Sequence, residues 1–276
     1  MQLKLLIRHI RNDLLKLIVP RMLINIYRLK RRFPKMKVFT YKALVKTVQK
    51  RNDVCHIIAT GSSAIDAYKA GVVKPGDYII GINFAAYLPY TFDFYFFDDQ
   101  FSMNDVHIAK TKNISELLNR RKDRIAHLVY KNAARVTPDV MFQLIPDLEF
   151  SVVFDKVFYY PNVRKLFARP SLIMPQYCSS TIISAMLAYH AGFKTIVMHG
   201  LDFTGPHIYH DKDLQEQTGL DAPSPYVAKD VKHISADGQE LIWPKLMKKF
   251  AEKGISIYCA SSSSNFKNYA QIWQQS

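Results

Sequence analysis

An α/β domain on a mostly parallel sheet is the fold class this sequence predicts, and three observations predict it. Short apolar runs of strand length alternate with helical patterns from Val38 onward. The clearest strand, Val54–Ala59, enters a small-residue turn, Thr60-Gly61-Ser62-Ser63, that opens a helix to about Ala70. The same strand–helix alternation returns near the C-terminus, where Ser180–Tyr189 reads as a helix followed by a strand over Thr195–Met198. This order argues for a parallel sheet with helices on both faces.

The 276 residues, 49% hydrophobic and 13% aromatic, can bury a sizeable core and are globular rather than disordered. The expected organisation is a basic amphipathic segment, residues 1–37, followed by one Rossmann-like domain, residues 38–276. Three cysteines, Cys55, Cys178 and Cys259, lie far apart without CxxC spacing, which fits buried, reduced thiols in a cytosolic compartment and speaks against a structural zinc site.

The charge is concentrated at the start. Residues 1–37 hold eleven Lys/Arg against Asp13 alone, and so carry +10 of the net +15. Leu3, Leu6, Ile10, Leu14 and Leu17 recur at helical spacing with basic residues between them, until Pro20 breaks the pattern. A second basic helix is expected over Met22–Arg32, before Pro34. No apolar run is long enough to span a bilayer, and charges interrupt the run a secretory signal would need. The favoured reading is a segment lying on an anionic membrane surface, where each basic residue contributes about 1 kcal/mol. Packing on the body with a solvated basic face is the alternative. Nucleic-acid binding has no motif of interleaved aromatics to support it.

Along the body, Lys74-Pro75-Gly76-Asp77 is a turn before a strand over Tyr78–Ile82 and Asn83. Strands follow over Phe92–Phe97, ending at Asp98-Asp99, and over Ile125–Tyr130 and Ser151–Phe154. After the strand at Thr195 come a helix over Gln239–Lys253, a strand over Ile255–Cys259 and a closing helix over Ser264–Trp273.

Open α/β sheets bind ligands beyond the carboxyl ends of strands and at the amino ends of helices. The stretch Gln176–His210 places both in one piece of sequence. It opens a helix with Ser179-Ser180 and ends in a polar loop holding Asp202, Thr204, His207, Tyr209 and His210, a corner suited to a phosphorylated or carboxylated substrate. Thr60-Gly61-Ser62-Ser63 occupies the first βα turn, although it is neither GxGxxG nor GxxxxGK[ST], and a Gly–Ser–Ser turn is also an ordinary helix cap. Asn83 at a strand end reads equally as a base or sugar contact or as a turn residue. Asp98-Asp99 and Asp211-Lys212-Asp213 have the form of acidic metal motifs, but such pairs are common by chance and no metal is expected. Without one, a leaving phosphate needs other partners, which the phenol of Tyr209 and the helix start at Ser179-Ser180 can supply. His233, in the polar loop KHISADGQE, is the candidate general base, because a loop imidazole keeps a pKa near working pH. His199, at a strand end between Met198 and Gly200, reads as structural, whereas His207 and His210 are intermediate, with substrate contact open to either.

The order IIATGSSAIDAY, GINFA, FFDDQF, SSTIISAMLAYHAGFKTIVMHGLDFTGPHIYH and HISADGQELI…ISIYCAS resembles bacterial sialyltransferases of the single-domain Rossmann-like kind and the related lipopolysaccharide-core transferases for 3-deoxy-octulosonic acid (Kdo). It runs over roughly residues 54 to 265 and is weakest between 100 and 170. The resemblance implies a GT-A-like fold variant and metal-independent transfer from a CMP-activated acidic sugar, with no other cofactor. It implies His233 as base, Tyr209 as partner of the leaving phosphate, and Gly61, Ser63, Asn83 and Ser180 around CMP. Three positions depart from the sialyltransferase pattern: Thr204 replaces a tyrosine, Gln176-Tyr177 replaces Gln-Arg, and Asp98 replaces an asparagine. GLDFTG leans towards Kdo.

The expected acceptor is a lipopolysaccharide or other surface glycan, with the enzyme peripheral on the inner face of the bacterial inner membrane. Two other classes stay open from the residues: a magnesium-dependent pyrophosphokinase-like enzyme using Asp98, Asp99 or Asp202, and a non-catalytic nucleotide-binding module.

Overall fold

The computed structural model describes residues 37–97, 105–131, 151–153, 155–157, 163–170, 174–176, 179–221 and 236–274. The expected helices of residues 1–36, together with Asp98, Asp99 and His233, lie outside these residues. The strands are β1 (Lys37–Phe39), β2 (Val54–Ile58), β3 (Tyr78–Ile82), β4 (Phe94–Phe97), β5 (Leu128–Lys131), β6 (Ser151–Val153), β7 (Asp155–Val157), β8 (Met174–Gln176), β9 (Thr195–His199) and β10 (Ser256–Cys259). The helices are α1 (Tyr41–Thr47), α2 (Ser63–Lys69), α3 (Asp105–Arg121), α4 (Ser180–His190), α5 (Lys212–Thr218) and α6 (Ala236–Glu252).

Eight strands form one sheet in the order β1-β6-β5-β4-β3-β2-β9-β10, and every pairing in it is parallel. The fold is therefore the expected α/β Rossmann-like type. β7 and β8 pair separately, also in parallel. The inner strands read as apolar runs because both faces are covered: β3 and β4 are buried at every position.

Alternation along the strands divides the core in two. Cys55, Ile57, Ile80 and Phe96 point to one face and pack under α1, α4 and α6 with Tyr41, Ile183, Trp243 and Phe250. Ile58, Ile79, Tyr95 and Phe97 point to the other, under α2 and α3, with Ala64, Leu117 and the Ile208–His210 turn.

The strand order reverses at β2: the chain moves through β3 to β6 on one side, then returns to place β9 on the other. Register at the reversal is Val54↔Thr195 to Ile58↔His199.

One element differs from its sequence reading. The closing helix expected over Ser264–Trp273 is a single 3-10 turn, Asn265–Asn268, after which the chain runs extended beside β10. Serine hydroxyls compete for backbone donors here, as Ser261 Oγ accepts from Ser263 N at 3.2 Å and Ser264 Oγ from Phe266 N at 3.2 Å. Tertiary pairing then takes the remaining backbone groups: Cys259 N donates to Gln271 O and Trp273 N to Cys259 O, both at 2.8 Å.

Candidate active site

In an open parallel sheet the ligand crevice lies beyond the carboxyl ends of the strands where their order reverses. Here that point falls between β2 and β9. The loops leaving these strands, residues 59–62 and 200–207, are far apart in sequence and are laced together in space. Gly61 pairs with His207 as an antiparallel bridge, Gly61 N donates to Gly200 O at 2.9 Å, Ser62 N to Pro206 O at 3.1 Å and Ile208 N to Thr60 O at 2.9 Å.

This close approach explains the glycines. A Cβ on Gly61 would lie 2.4 Å from Asp202 Oδ2 and 2.6 Å from Gly200 O, and Gly200 itself has φ +64°.

The buried Asp202 carboxylate sits at the amino end of α2. It accepts from Ser63 N at 3.0 Å with Oδ2 and from the Ser63 hydroxyl with Oδ1. The first βα turn therefore meets the protein's own anion, in the place where many such folds hold a phosphate. Ser63, 3% exposed, belongs to this internal bond, while Thr60 and Ser62 remain partly exposed at the crevice.

Phe203, the next residue, is a bulky side chain at φ 60°, a conformation that costs about 1–2 kcal/mol. It is held by burial against Phe266 and Tyr269. Asn265 Nδ2 donates to Asp202 O at 2.9 Å and to Thr204 Oγ1 at 3.1 Å, and Ser264 Oγ donates to Leu201 O at 3.0 Å. These two bracing residues were missed in the sequence because they lay inside the expected closing helix; the run Ser261–Ser264 was the available signal of a polar loop. Thr204 is exposed at the rim.

Two histidines flank Tyr209. His207 Nδ1 lies 3.2 Å from the Thr60 carbonyl and 3.3 Å from the Thr60 hydroxyl, and the ring also accepts from the His210 backbone N–H. His210 Nδ1 accepts from His207 N at 3.2 Å, so its neutral ring donates through Nε2. Each imidazole thus caps the other's backbone N–H. Tyr209 is 1% exposed, its ring 4.7 Å from that of Phe84, 4.9 Å from His207 and 4.6 Å from His210. The accessible edge of this cluster is the two half-buried imidazoles.

Asn83, at the end of β3, adopts φ 50°, which asparagine tolerates better than most residues. The Tyr95 hydroxyl donates to Asn83 O and accepts from Ala86 N at 3.0 Å, fixing the turn.

α4 precedes β9 on the opposite face, so its amino end lies at the same carboxyl edge of the sheet. Ser179 caps it, accepting from Thr181 N at 3.2 Å, and Ser179 Oγ lies 2.5 Å from Thr181 Oγ1. Ser180 is partly exposed. The structure thus gathers Thr60, Gly61, Ser62, Ser63, Asp202, Thr204 and His207 at the reversal point, with Asn83 and Ser179-Ser180 on neighbouring elements at the same edge.

Asp211 and Asp213 have a helical use. Asp211 caps α5, accepting from Leu214 N at 3.0 Å, and Asp213 is exposed in its first turn. Among the described residues no group of three or more His, Cys, Asp or Glu side chains is placed to hold a metal ion.

His199 belongs to an internal chain. His56 Nε2 lies 3.1 Å from Asp77 Oδ2, and His56 Nδ1 lies 2.9 Å from His199 Nε2. The carboxylate fixes His56 as an Nε2 donor, so His199 Nε2 donates to His56 Nδ1. Burial pushes the pKa of both imidazoles down, well below the usual value for His199.

No protein-family model matches the chain and no curated protein does. Solved structures do. The monofunctional alpha-2,3-sialyltransferase Cst-I from Campylobacter jejuni is 16% identical, with 82% of each chain covered and a TM-score of 0.47. The sialyltransferase CstII from Campylobacter jejuni, solved with the substrate analogue cytidine-5'-monophosphate, is 14% identical; the match covers 81% of this chain and 86% of that one, with a TM-score of 0.44. With likeness at this level, the fold assignment stands on the strand order itself.

Proposed function

We propose that the chain is an inverting, metal-independent glycosyltransferase that moves an acidic 3-deoxy-ulosonic sugar, Kdo or sialic acid, from its CMP-activated form to a lipopolysaccharide or other surface glycan. The observation that carries the reading is the meeting of TGSS and GLDFTGPHIYH at the β2/β9 reversal, through the Gly61–His207 bridge and the Asp202–Ser63 bonds. Two segments whose order and spelling resemble one enzyme class meet at one reversal of strand order, which supports a shared nucleotide site.

In this reading Thr60, Ser62 and Asn83 contact the nucleotide, with Thr204 and His207 at the rim, while Gly61, Ser63 and Asp202 shape the turn beneath it. His233 removes the proton from an acceptor hydroxyl as that oxygen attacks the anomeric carbon. The bond from that carbon to the phosphate oxygen breaks, and CMP departs with the electron pair. The α4 amides at Ser179-Ser180 receive the developing negative charge, with the Nε2 donor of His210 the next partner in line. Tyr209, the expected phosphate partner, is 1% exposed and in this reading supports the two imidazoles from beneath. A positioned base is worth about 10²–10⁴-fold in rate.

Thermal-shift measurements with CMP, CDP, UDP, GDP and ATP, with EDTA or with magnesium, test the class. Stabilisation by CMP alone, unchanged by EDTA, is expected. Stabilisation by ATP only in the presence of magnesium would move the protein to the pyrophosphokinase-like class. Binding of CMP without turnover of CMP-Kdo or CMP-sialic acid would leave a binding module. Transferase activity in His233→Ala equal to that of the unmodified chain would remove the base from the mechanism.

A further inference from the structure

The two helical faces of the sheet carry charge differently. On the α1, α4 and α6 side, the described side chains of the helices and the Val163–Lys165 turn include Lys42, Lys46, Arg164, Lys245, Lys248 and Lys249 against one acid, Glu252. On the α2, α3 and α5 side, the same count over helices and 3-10 turns is seven bases against five acids. The other two acids of α6, Asp237 and Glu240, stand near its amino end, away in sequence from the lysines of its last turns.

The bases on the first face belong to one packed unit. Phe167 packs edge-on, with ring centroids 4.9 Å from Phe250 of α6 and 5.0 Å from Tyr189 of α4. His190 of α4 is 2.8 Å from the Tyr41 hydroxyl of α1 and donates to Ala168 O at 2.9 Å. Lys249 pairs with Glu252 at 2.6 Å, and Lys248 also feels that carboxylate; among the described residues the five bases other than Lys249 form no direct ion pair. Such a face keeps its full field for something outside the molecule.

The chain supplies a direction. α1 starts at Tyr41, immediately after edge strand β1, so residues 1–36, with ten of the eleven N-terminal bases, directly precede the first helix of this face in the chain. The large hydrophobics counted as exposed among the described residues, Tyr68 and Ile272, are not on these helices, so the face offers charge without a stacking platform. Delocalised charge without aromatics suits a headgroup layer better than single-stranded nucleic acid, which binds by stacking as well as charge.

We infer that the α1/α6 face is a second membrane-contact surface, which lies on anionic phospholipid together with the N-terminal segment and turns the opposite helical layer towards the cytosolic side. Two linked contacts on one surface reinforce each other, because the first raises the effective concentration of the second. The inference is separate from the proposed chemistry: His233→Ala should bind vesicles as the unmodified chain does.

The test is vesicle co-flotation of the full chain with phosphatidylcholine alone or mixed with phosphatidylglycerol, at low and high salt. Lys245→Glu/Lys248→Glu and Lys42→Glu/Lys46→Glu are each expected to weaken binding to the anionic vesicles by about tenfold or more. The control Lys69→Glu/Lys112→Glu/Lys122→Glu, on the other face, should change it by less than about twofold. If a reversal lowers the melting temperature, the Lys→Gln versions replace it. An equal loss in the control would reduce the effect to net charge and overturn the proposal. So would unchanged binding in both test variants, or loss of RNA-oligonucleotide binding while vesicle binding persists.

Discussion

The amino ends of α2 and α4 stand at the same edge of the sheet, and they are finished differently. α2 meets a buried carboxylate, Asp202, which takes both the Ser63 amide and the Ser63 hydroxyl. Among the described residues α4 is capped by a neutral hydroxyl, from Ser179. A helix amino end carries about half a positive charge. At α2 that charge is answered by a carboxylate of the protein; at α4 the described cap is neutral. The contrast teaches that the glycine turn after β2 serves mainly to join two loops, and it is why the proposed mechanism sets the leaving group at α4.

The largest expected effect breaks the closed end. Gly61→Ala drives a methyl into Asp202 and the Gly200 carbonyl, and it should cost about 3 kcal/mol or more, read by denaturant unfolding. A change below about 1 kcal/mol would mean that the two loops are not held this closely.

Asp202→Asn comes next. It keeps the shape but replaces charge-assisted bonds with neutral ones and should cost about 1.5–3 kcal/mol. Nucleotide affinity should fall mainly through the loosened loop. If CMP binds more tightly to this variant than to the unmodified chain, the α2 end holds the phosphate and the contrast is reversed.

Acid stability follows from imidazoles near both helices. Val197 packs against Ala67 of α2, and His199, two residues on, shares that face with His56; His190 lies in the last turn of α4. Burial depresses all three pKa values, that of His190 to about 4. The unfolded chain therefore takes up protons first as pH falls. Their contribution is fully present above the unfolded value, about 6.5, and is lost as pH drops towards the folded values, by up to about 1.4 kcal/mol per pH unit for each histidine. Melting temperature should drop from pH 6.5 to pH 4, and His190→Gln should flatten that slope by one proton. A flat profile would contradict the buried neutral state.

The smallest effect tests the neutral cap of α4. Ser179→Ala should cost about 1 kcal/mol as a lost cap and leave CMP stabilisation nearly unchanged, because the amides remain. Loss of CMP stabilisation without loss of basal stability would assign the hydroxyl itself to the ligand.

Much of this edge was legible along the chain. The strands at Val54, Tyr78 and Thr195 and the helices at Ser63 and Ser180 announce themselves by local apolar runs and small polar starts, since both signals act over a few residues. The Asp202–Ser63 bond was not legible, because the partners are 139 residues apart and either reads as an ordinary turn residue. Asn265 was hidden for a similar reason. Helical spacing continued through Ser264–Trp273, but serine hydroxyls and pairing with Cys259 took the backbone donors that a helix needs. The sequence also presented Tyr209 as a site residue, and only packing against Phe84, His207 and His210 placed its ring in the aromatic layer beneath them.

By itself, then, the sequence determined the alternating α/β plan, the concentration of charge before Val38, and the segments from which a crevice would be made. Those follow from local hydrophobic period, turn chemistry and composition. Tertiary structure alone decided which helix end was closed, which imidazoles stayed at the surface, and which face of the sheet kept its unpaired lysines. Each of these depends on contacts between segments far apart in the chain, and no local pattern encodes such a partner.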